Sequence, residues 1–356
     1  MENRGLLFIP DISGFTRFVT ETDISHSRLI IQELLEVLIQ ANKTGLEVSE
    51  IEGDAILFYK FGDPPALETL YKQVEKMFCD FHRNILAYEL RRFCQCEACR
   101  SAIDLSLKVI THYGEFTGYT VQQFNKLIGK DVIVAHQLLK NDIDQHEYWL
   151  VTNSLLHDDP KTELPSWMQW STSAKQTESG EVPFQYTQLG RLKKEIEPDP
   201  LPRLELSAKK KMLSVTREYE AGIILLFHAT GDFNYRSRWQ EGVKAVEEVA
   251  HFLPRIGMQC RCIRENGQVS IYYSSYSFHD DRIEFSETDV KEHSVTYYTL
   301  EKINDNKTRL TIDLYQDKNS IKQAVFALFK KKKLETDLQQ SLLNLVQLTK
   351  EIKLPS

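Results

Sequence analysis

The sequence has few of the features that mark membrane-spanning, secreted or nucleic-acid-binding proteins. No stretch reaches the roughly 18 uncharged apolar residues of a spanning helix, and the apolar run in MENRGLLFIPDISG is too short for a signal peptide. Positive charge is not in excess, because 44 Lys and Arg stand against 51 Asp and Glu, a net charge of −7. We therefore expect a cytoplasmic, soluble protein with no transmembrane segment and no nucleic-acid partner.

Cysteine is also scarce. Six cysteines in 356 residues favour reduced thiols over a disulfide scaffold. There is no internal repeat and no low-complexity tract. A hydrophobic content of 42% and a charged content of 27% are typical of a folded globular protein, and the length suits two domains.

The first half alternates strand and helix signals in the order β-α-β-β-α-β-α-β. The apolar run at Leu6 predicts a strand, LEVSEIEGDAILFYKF predicts two strands joined by a tight turn, and Asp63-Pro64 predicts a helix start. From about residue 162 to 202 the sequence turns polar and proline-rich. We expect a first domain over 1–165 and a linker over 166–204, in which PFQYTQL could form the last strand of the first domain.

The second half, 205–356, is typical of antiparallel sheet. Runs such as MQCRCIRENGQVSIYYSSYSF alternate apolar and polar residues around an Asn-Gly turn. A closing helix, expected from about Ile321 to Ile352, carries leucines on one face. The whole chain is therefore expected to be α+β, with a curved antiparallel sheet covered by a long C-terminal helix.

Two carboxylates stand where strands of the first half end or turn. Asp11 follows the run LLFIP, and Asp54 lies in the turn Glu52-Gly53-Asp54. An Asp at such a place is most often a turn former or a helix cap. If adjacent strands bring the two together, their oxygens suit Mg²⁺ or Mn²⁺, and the turn after Asp11 would offer backbone N–H groups to phosphates.

Four motifs, in the same order, resemble class III nucleotidyl cyclases: FIPDISGFTRF, EIEGDAILFY, LSLKVITHYGEF and IGKDVIVAHQLL. The resemblance implies a ferredoxin-like βαββαβ core, a nucleoside triphosphate ligand, and a head-to-tail homodimer or heterodimer. In that family two metal ions assist attack of the 3′ hydroxyl on the α-phosphate. The site residues carried over are Asp11, Asp54 and the Ile12 carbonyl for metal, Ser13, Gly14, Phe15 and Thr16 for phosphates, and Glu50 and Lys126 for the base.

The sequence also departs from the family's pattern. Ile133 and Gln137 stand where the family has an Asn and an Arg that orient the ribose and neutralise phosphate charge, and Lys126 replaces the usual Asp or Cys. Losing such a group costs about 10² to 10⁵ in rate. Three explanations stay open. The domain is a nucleotide-binding pseudo-cyclase, or it pairs with a second, complete chain, or a nearby cation substitutes, namely Lys126, Lys130 or His136.

Three cysteines are close together in FCQCEACRSA: Cys94, Cys96 and Cys99. They could bind zinc with a fourth ligand, for which the candidates are Cys79, His82 and His112. The alternative is a loop of reduced thiols, made redox-sensitive by nearby arginines.

The second half resembles the START-like (SRPBCC) superfamily through its hairpins, its closing helix and YRSRWQEGVKAVEEV. The resemblance implies a helix-grip fold with a pocket for an apolar small molecule or lipid. An aromatic core explains the same tyrosines equally well. The candidate pocket residues are Trp239, Tyr272, Tyr276 and Tyr297.

Overall fold

In the computed structural model the described residues are 4–94, 96–156, 164–178, 180–198, 200–202, 204–248, 255–265, 267–318 and 331–354. The chain forms two compact units, Met1–Ala87 with Arg100–Asp199, and Tyr88–Cys99 with Pro200–Ser356. The second unit is therefore discontinuous in sequence. Among the described residues, no helix combines the length and apolar character needed to cross a bilayer.

The first unit is built on a seven-stranded sheet with the order β2-β3-β1-β4-β7-β9-β8. The neighbours β4, β1, β3 and β2 have the strand order of a ferredoxin-like core, which confirms the predicted class. Nine of the ten residues of β1 are buried, because it is a central strand covered on both faces. The strands are β1 (Arg4–Ser13), β2 (Glu47–Glu52), β3 (Ala55–Phe61), β4 (Ser106–Glu115), β7 (Tyr148–Thr152), β8 (Trp170–Thr177) and β9 (Gly180–Gln188), with a separate hairpin of β5 (Thr117–Val121) and β6 (Phe124–Ile128).

Among the described residues, six α-helices accompany these strands. They are α1 (Phe15–Glu21), α2 (Ile24–Gln40), α3 (Leu67–Arg91), α4 (Glu97–Ser101), α5 (Lys130–Leu138) and α6 (Gly190–Lys193), and the end of α3 and the start of α4 are assigned to the second unit. Helix α3 begins at Leu67, not at Pro64 with Asp63 as its N-cap, as expected. The reason is the second proline, Pro65, since a residue that precedes proline is disfavoured in the helical region.

The stretch interpreted as a linker contains a β-hairpin. Strand β9 pairs with β7, and β8 pairs with β9 at the edge of the sheet. Most residues of β8 are exposed. Because an edge strand of this kind buries little, its sequence lacks the apolar alternation from which the other strands were predicted.

The second unit has a seven-stranded antiparallel sheet in the order β10-β16-β15-β14-β13-β12-β11. The strands are β10 (Lys209–Tyr219), β11 (Val243–Glu248), β12 (Gln259–Arg264), β13 (Gly267–His279), β14 (Arg282–Asp289), β15 (Val295–Asn304) and β16 (Lys307–Asp317). The helices are α7 (Ile223–Gly231), α8 (Arg236–Trp239) and α9 (Lys331–Glu351).

Helix α9 packs against the core of the second unit through Leu342, Leu345 and Leu348, all of which are buried. This confirms the expected sheet with a long C-terminal helix. The expected helical segment 321–330 lies outside the described residues.

Candidate functional site

The sheet of the first unit brings the two predicted acids to one place. Asp11, near the end of β1, lies opposite Ala55 of β3, and Asp54 immediately precedes Ala55. The Ile12 N–H donates to the Asp54 carbonyl at 3.1 Å. Both acids therefore face one cavity of about 720 Å³, here named the acid cavity.

The acid cavity is lined by all the residues predicted for metal and phosphate binding. Gly14 has a φ of 90°, which lets the chain turn directly from β1 into α1. The hydroxyl of Ser13 donates to the His146 carbonyl at 3.1 Å. Because this hydroxyl is already engaged, the groups that the turn can offer a ligand are its backbone N–H groups. The lining residues are Asp11, Ile12, Ser13, Gly14, Phe15, Thr16, Arg17, Glu52, Asp54, Ala55, Lys108, Val132, Ile133, His136, Gln137, Leu139, Lys140 and His146.

Burial makes both carboxylates harder to ionise. Burial raises the pKa of Asp54 to about 6, and the neighbouring charge of Asp11 adds to the rise. Burial also raises the pKa of Asp11, although Lys108 acts in the opposite direction. Two acids that are costly to ionise side by side form an arrangement that a bound cation would relieve.

Lys108 also lines the acid cavity and was not predicted from the sequence. It lies on β4 directly opposite Asp11, and its Nζ is 3.3 Å from Asp11 Oδ1. The same Nζ donates to the Leu139 carbonyl at 3.3 Å. The available signal was a single lysine in the otherwise apolar strand LSLKVI, on the face opposite Leu107 and Val109.

The predicted base-reading residues lie outside the acid-cavity lining and bind each other. The Lys126 ammonium donates to the Glu50 carboxylate, and this hydrogen bond raises the pKa of Lys126. His136 adds contacts to both neighbouring acids, at 3.6 Å to Glu50 and 3.7 Å to Glu52. Glu50 must therefore leave an intrachain ion pair before it can contact a base.

The two positions that depart from the cyclase pattern do line the acid cavity. Ile133 and Gln137 are four residues apart on α5 and so share one face of the helix. The side chain of Ile133 is 55% exposed. The buried Oε1 of Gln137 has no hydrogen-bond partner among the described residues. An unsatisfied acceptor beside a cavity is a place where a ligand hydroxyl or amino group would be stabilised.

The second unit has its own cavity of about 450 Å³, here named the helix-sheet cavity, which both strand residues and residues of α9 line. Of the predicted pocket residues, Trp239 lines it. Tyr272, Tyr276 and Tyr297 do not, and Tyr276 stacks on Phe93 at 4.5 Å. The lining residues are Trp239, Gln240, Cys262, Arg264, Val269, Ile271, Glu287, Asp289, Ser294, Thr296, Tyr298, Leu314, Gln316, Lys333, Leu334, Asp337 and Leu338.

The helix-sheet cavity is more polar than expected. Glu287 at its wall accepts a hydrogen bond from Arg236 at 2.9 Å, and both side chains are buried. The hydroxyl of Tyr298 donates to the same carboxylate at 3.2 Å. Because a buried ion pair needs such additional partners, this network fixes part of the wall.

The three clustered cysteines come together in the second unit. The sulfur atoms of Cys94, Cys96 and Cys99 lie within 4.8 Å of one another. Cys79, His82 and His112, proposed from sequence as a fourth ligand, are not members of this cluster. His82 packs against Phe78, with ring centroids 4.3 Å apart, and His112 hydrogen-bonds with Thr152 and Asp131.

Comparison with known sequences finds a family model and a curated relative. The family model described as "Protein of unknown function (DUF2652)" matches residues 31–148. The "Uncharacterized protein Rv2561/Rv2562" of Mycobacterium tuberculosis is 29% identical over an alignment of 130 residues that covers 34% of this chain. The match covers 56% of that protein, so the chain spans little more than half the length of this curated relative.

Similar solved structures include three cyclase domains. The catalytic core of a rhodopsin-guanylyl cyclase with converted specificity in complex with ATPalphaS is 13% identical, with a TM-score of 0.39, over 52% of this chain and 96% of that one. The guanylate cyclase domain of RhGC from Catenaria anguillulae in complex with GTP is 12% identical, with a TM-score of 0.37 and the same coverages. A bacterial light-regulated adenylyl cyclase is 12% identical, with a TM-score of 0.39, over 55% of this chain and 58% of that one.

Proposed function

We propose that the first unit binds a nucleoside triphosphate with Mg²⁺ or Mn²⁺ in the acid cavity and has weak, atypical or no cyclase activity. The observation that carries this proposal is the meeting of Asp11 and Asp54 at one cavity wall, where burial and the charge of Asp11 disfavour the ionisation of Asp54. The predicted phosphate turn, from Ile12 to Thr16, lines the same cavity.

The residues present fit a divalent cation. Asp11, Asp54 and the Ile12 carbonyl supply the hard oxygen ligands that Mg²⁺ and Mn²⁺ prefer, and a cation held there would neutralise phosphate charge. Three cationic side chains, Arg17, Lys108 and Lys140, also line the cavity. They would attract the remaining phosphate oxygens by charge-assisted hydrogen bonds.

Weak or absent catalysis follows from helix α5. At its cavity face, Ile133 offers no hydrogen-bond donor and Gln137 carries no charge. A positioned donor or cation at a phosphoryl transition state is worth about 10² to 10⁵ in rate. The unsatisfied Oε1 of Gln137 instead favours a binding role, such as accepting a hydrogen bond from a sugar hydroxyl.

The decisive experiment is calorimetric titration of the full chain with GTP and with ATP in the presence of Mn²⁺. We expect binding to the wild type, and loss of it in the double variant Asp11→Asn with Asp54→Asn. Asp63→Asn is the matched control, because Asp63 is exposed and outside the cavity lining. Equal binding by the wild type and the double variant would refute the site.

A gain-of-function variant tests the catalytic half of the proposal. Ile133→Asn combined with Gln137→Arg restores the residue types that the sequence lacks, on the face of α5 that lines the cavity. We expect cyclic nucleotide and pyrophosphate, detected by mass spectrometry, to increase at least about tenfold over wild type. Nucleotide binding without any increase in product would assign the unit to binding alone.

The Lys108–Asp11 ion pair favours a second candidate, a non-catalytic scaffold with a vestigial site. An internal ammonium 3.3 Å from the carboxylate already supplies the positive charge that a metal ion would bring. On this alternative, neither nucleotide nor Mn²⁺ binds to the wild type, and the titration described above separates the two.

We also propose that the first unit pairs with a second copy of the chain. Its β5–β6 hairpin exposes three apolar side chains, and Ile133 on the following helix is exposed as well. Such a surface is typical of an interface. Sedimentation should show a dimer that Val121→Asp with Ile128→Asp weakens, whereas a chain that is monomeric at all concentrations would refute the pairing. The exposed residues of the hairpin are Tyr119, Val121 and Ile128.

For the second unit we propose a START-like role, the binding of a small amphipathic molecule or lipid in the helix-sheet cavity. Leu334 and Leu338 line it beside Arg264 and Lys333, which suits an apolar body with an anionic group. Laurate is a suitable probe. We expect Leu338→Trp to fill the cavity and abolish laurate binding, whereas Leu343→Trp, at an exposed position of α9, leaves it unchanged.

A further inference from the structure

We propose that Cys94, Cys96 and Cys99 bind one structural zinc ion as thiolates. The three sulfur atoms lie within 4.8 Å of one another. In tetrahedral zinc sites a Zn–S bond is about 2.3 Å long, which places two sulfur ligands about 3.8 Å apart. A contraction of at most about 1 Å per pair would therefore close the three cysteines around the ion.

The local backbone supports the thiolate form. The N–H of Cys96 donates to Cys94 Sγ at 3.5 Å, and a hydrogen bond to sulfur stabilises its negative charge. All three ligands come from a segment of six residues, so little chain entropy is lost when they converge.

Burial indicates a structural rather than a catalytic site. Cys99 is 1% exposed and the other two cysteines are half-buried. A catalytic zinc keeps an open position for water or substrate, whereas a structural one is enclosed by four protein ligands. Bound zinc would also fix the residue that precedes Cys94, Phe93, which is in the core of the second unit.

The second unit also contains a pair of neighbouring cysteines, Cys260 and Cys262, which in the described part of the chain lacks the third sulfur ligand that the proposed zinc site has. Cys260 and Cys262 are both buried, with sulfur atoms 4.0 Å apart, because they alternate on one face of β12. Among the described residues, no third histidine, cysteine or acid completes a cluster with them. None of the six cysteines forms a disulfide.

The fourth ligand is to be found by substitution. Histidine is the usual companion of three cysteines, and the chain contains ten histidines. Each is replaced by glutamine in the full chain, and zinc affinity is measured by competition with a chromogenic chelator. Loss of one ligand should weaken binding by at least about tenfold.

The test of the site uses the full chain, stripped of metal with a chelator under reducing conditions. Added Co²⁺ should give the intense visible bands of a tetrahedral thiolate site at one ion per chain, and Zn²⁺ should abolish them. Cys96→Ser should remove the bands. Cys79→Ser is the matched control, because Cys79 is half-buried but outside the cluster.

Counting the reactive thiols of the wild-type chain tests the site without any variant, so a substitution that prevents folding cannot affect the result. The half-buried Cys94 and Cys96 should become protected from a thiol reagent when Zn²⁺ is added, whereas Cys99 is already buried. Absence of the cobalt bands, or equal reactivity of the thiols with and without Zn²⁺, would overturn the proposal and favour a redox-sensitive loop. Neither measurement involves nucleotide, so its outcome is independent of the proposed function of the first unit.

Discussion

Lys108 places a positive charge beside Asp11 in the acid cavity. Its ammonium pairs with Asp11 at 3.3 Å, and both side chains are largely buried. At such a distance a charge pair near a protein surface interacts by about 4 kcal/mol. If the acid cavity binds a divalent cation as we propose, the lysine would compete with that cation for Asp11.

Replacing Lys108 with methionine tests this competition. Lys108→Met keeps the length of the side chain and removes the charge, so we expect Mn²⁺ to bind about tenfold more tightly in calorimetry without nucleotide. Lys140→Met is the control, because Lys140 lines the same cavity without pairing with Asp11. Unchanged or weaker Mn²⁺ binding in the Lys108 variant would contradict the competition.

His82 makes the stability of the first unit depend on pH. Burial, with a smaller contribution from Lys193, lowers the pKa of His82 to about 3. The unfolded chain takes up this proton below about pH 6.5 and the folded chain does not. The free energy of unfolding should therefore fall as the pH drops from about 6.5 towards 3, by up to about 1.4 kcal/mol per pH unit.

The variant His82→Phe removes the titratable imidazole, and its apolar ring can pack against Phe78 as the imidazole does. Urea unfolding between pH 7 and 5 should show a shallower loss of stability in His82→Phe than in wild type. His279→Gln, at an exposed position, should follow the wild type. A variant that loses stability as steeply as wild type would show that another group carries the acid sensitivity.

At the residue level the sequence allowed individual charged residues of the cavity to be recognised, but not the ion pairs that they form. Asp11 and Asp54 were recognisable because each stands at a strand end or turn, and both line the cavity. Lys108 was not, since its partner lies across the sheet and only the register of β1 with β4 brings the two together. Glu50 and Lys126 pair across 76 positions for the same reason.

At the scale of elements, the start of α5 is fixed against β4 by Asp131. Its carboxylate accepts a hydrogen bond from the Glu115 N–H at 2.6 Å and contacts His112 at 3.0 Å. These bonds require Gly114, because a Cβ there would lie 2.2 Å from Asp131 Cγ. The position of the α5 face that carries Ile133 and Gln137 therefore depends on Gly114 of β4, which leaves room for Asp131.

Gly114→Ala should therefore displace Asp131 and destabilise the first unit by about 3 kcal/mol. Gly118→Ala is the matched control, because its Cβ would meet only the Lys126 carbonyl, at 4.0 Å. Chemical denaturation of both variants measures the difference. Equal midpoints for the two variants would mean that the loop adjusts and that α5 is not held by this contact.

Elements that bury an apolar face were predictable, and the exposed or interrupted ones were not. The turn between β2 and β3 and helix α2 match their sequence patterns. Strand β8 did not, because most of its residues are exposed and its polar character resembles a linker. Pro65 delays helix α3 through the conformation of its neighbour, an effect that an N-cap pattern does not include.

At the scale of the whole molecule, the second unit is assembled from two separate pieces of chain. Residues 88–99 belong to it although first-unit sequence flanks them on both sides. A composition change marks a boundary near residue 200 but cannot mark this insertion, which is only one short segment. The segment contributes to the core of the second unit through Phe93. The centroid of its ring lies 4.4 Å from that of Tyr273 and 4.5 Å from that of Tyr276.

Phe93→Ala should therefore destabilise the second unit selectively. Truncating a buried phenylalanine costs about 3 to 5 kcal/mol, and Phe93 is 2% exposed. Hydrogen exchange followed by mass spectrometry should show faster exchange in β12–β15, with β1, β3 and β4 unchanged. Leu90→Ala, in the same segment but 45% exposed, is the control. Faster exchange confined to the first unit would contradict the assignment of residues 88–99 to the second unit, because Phe93 would then stabilise the core of the first unit.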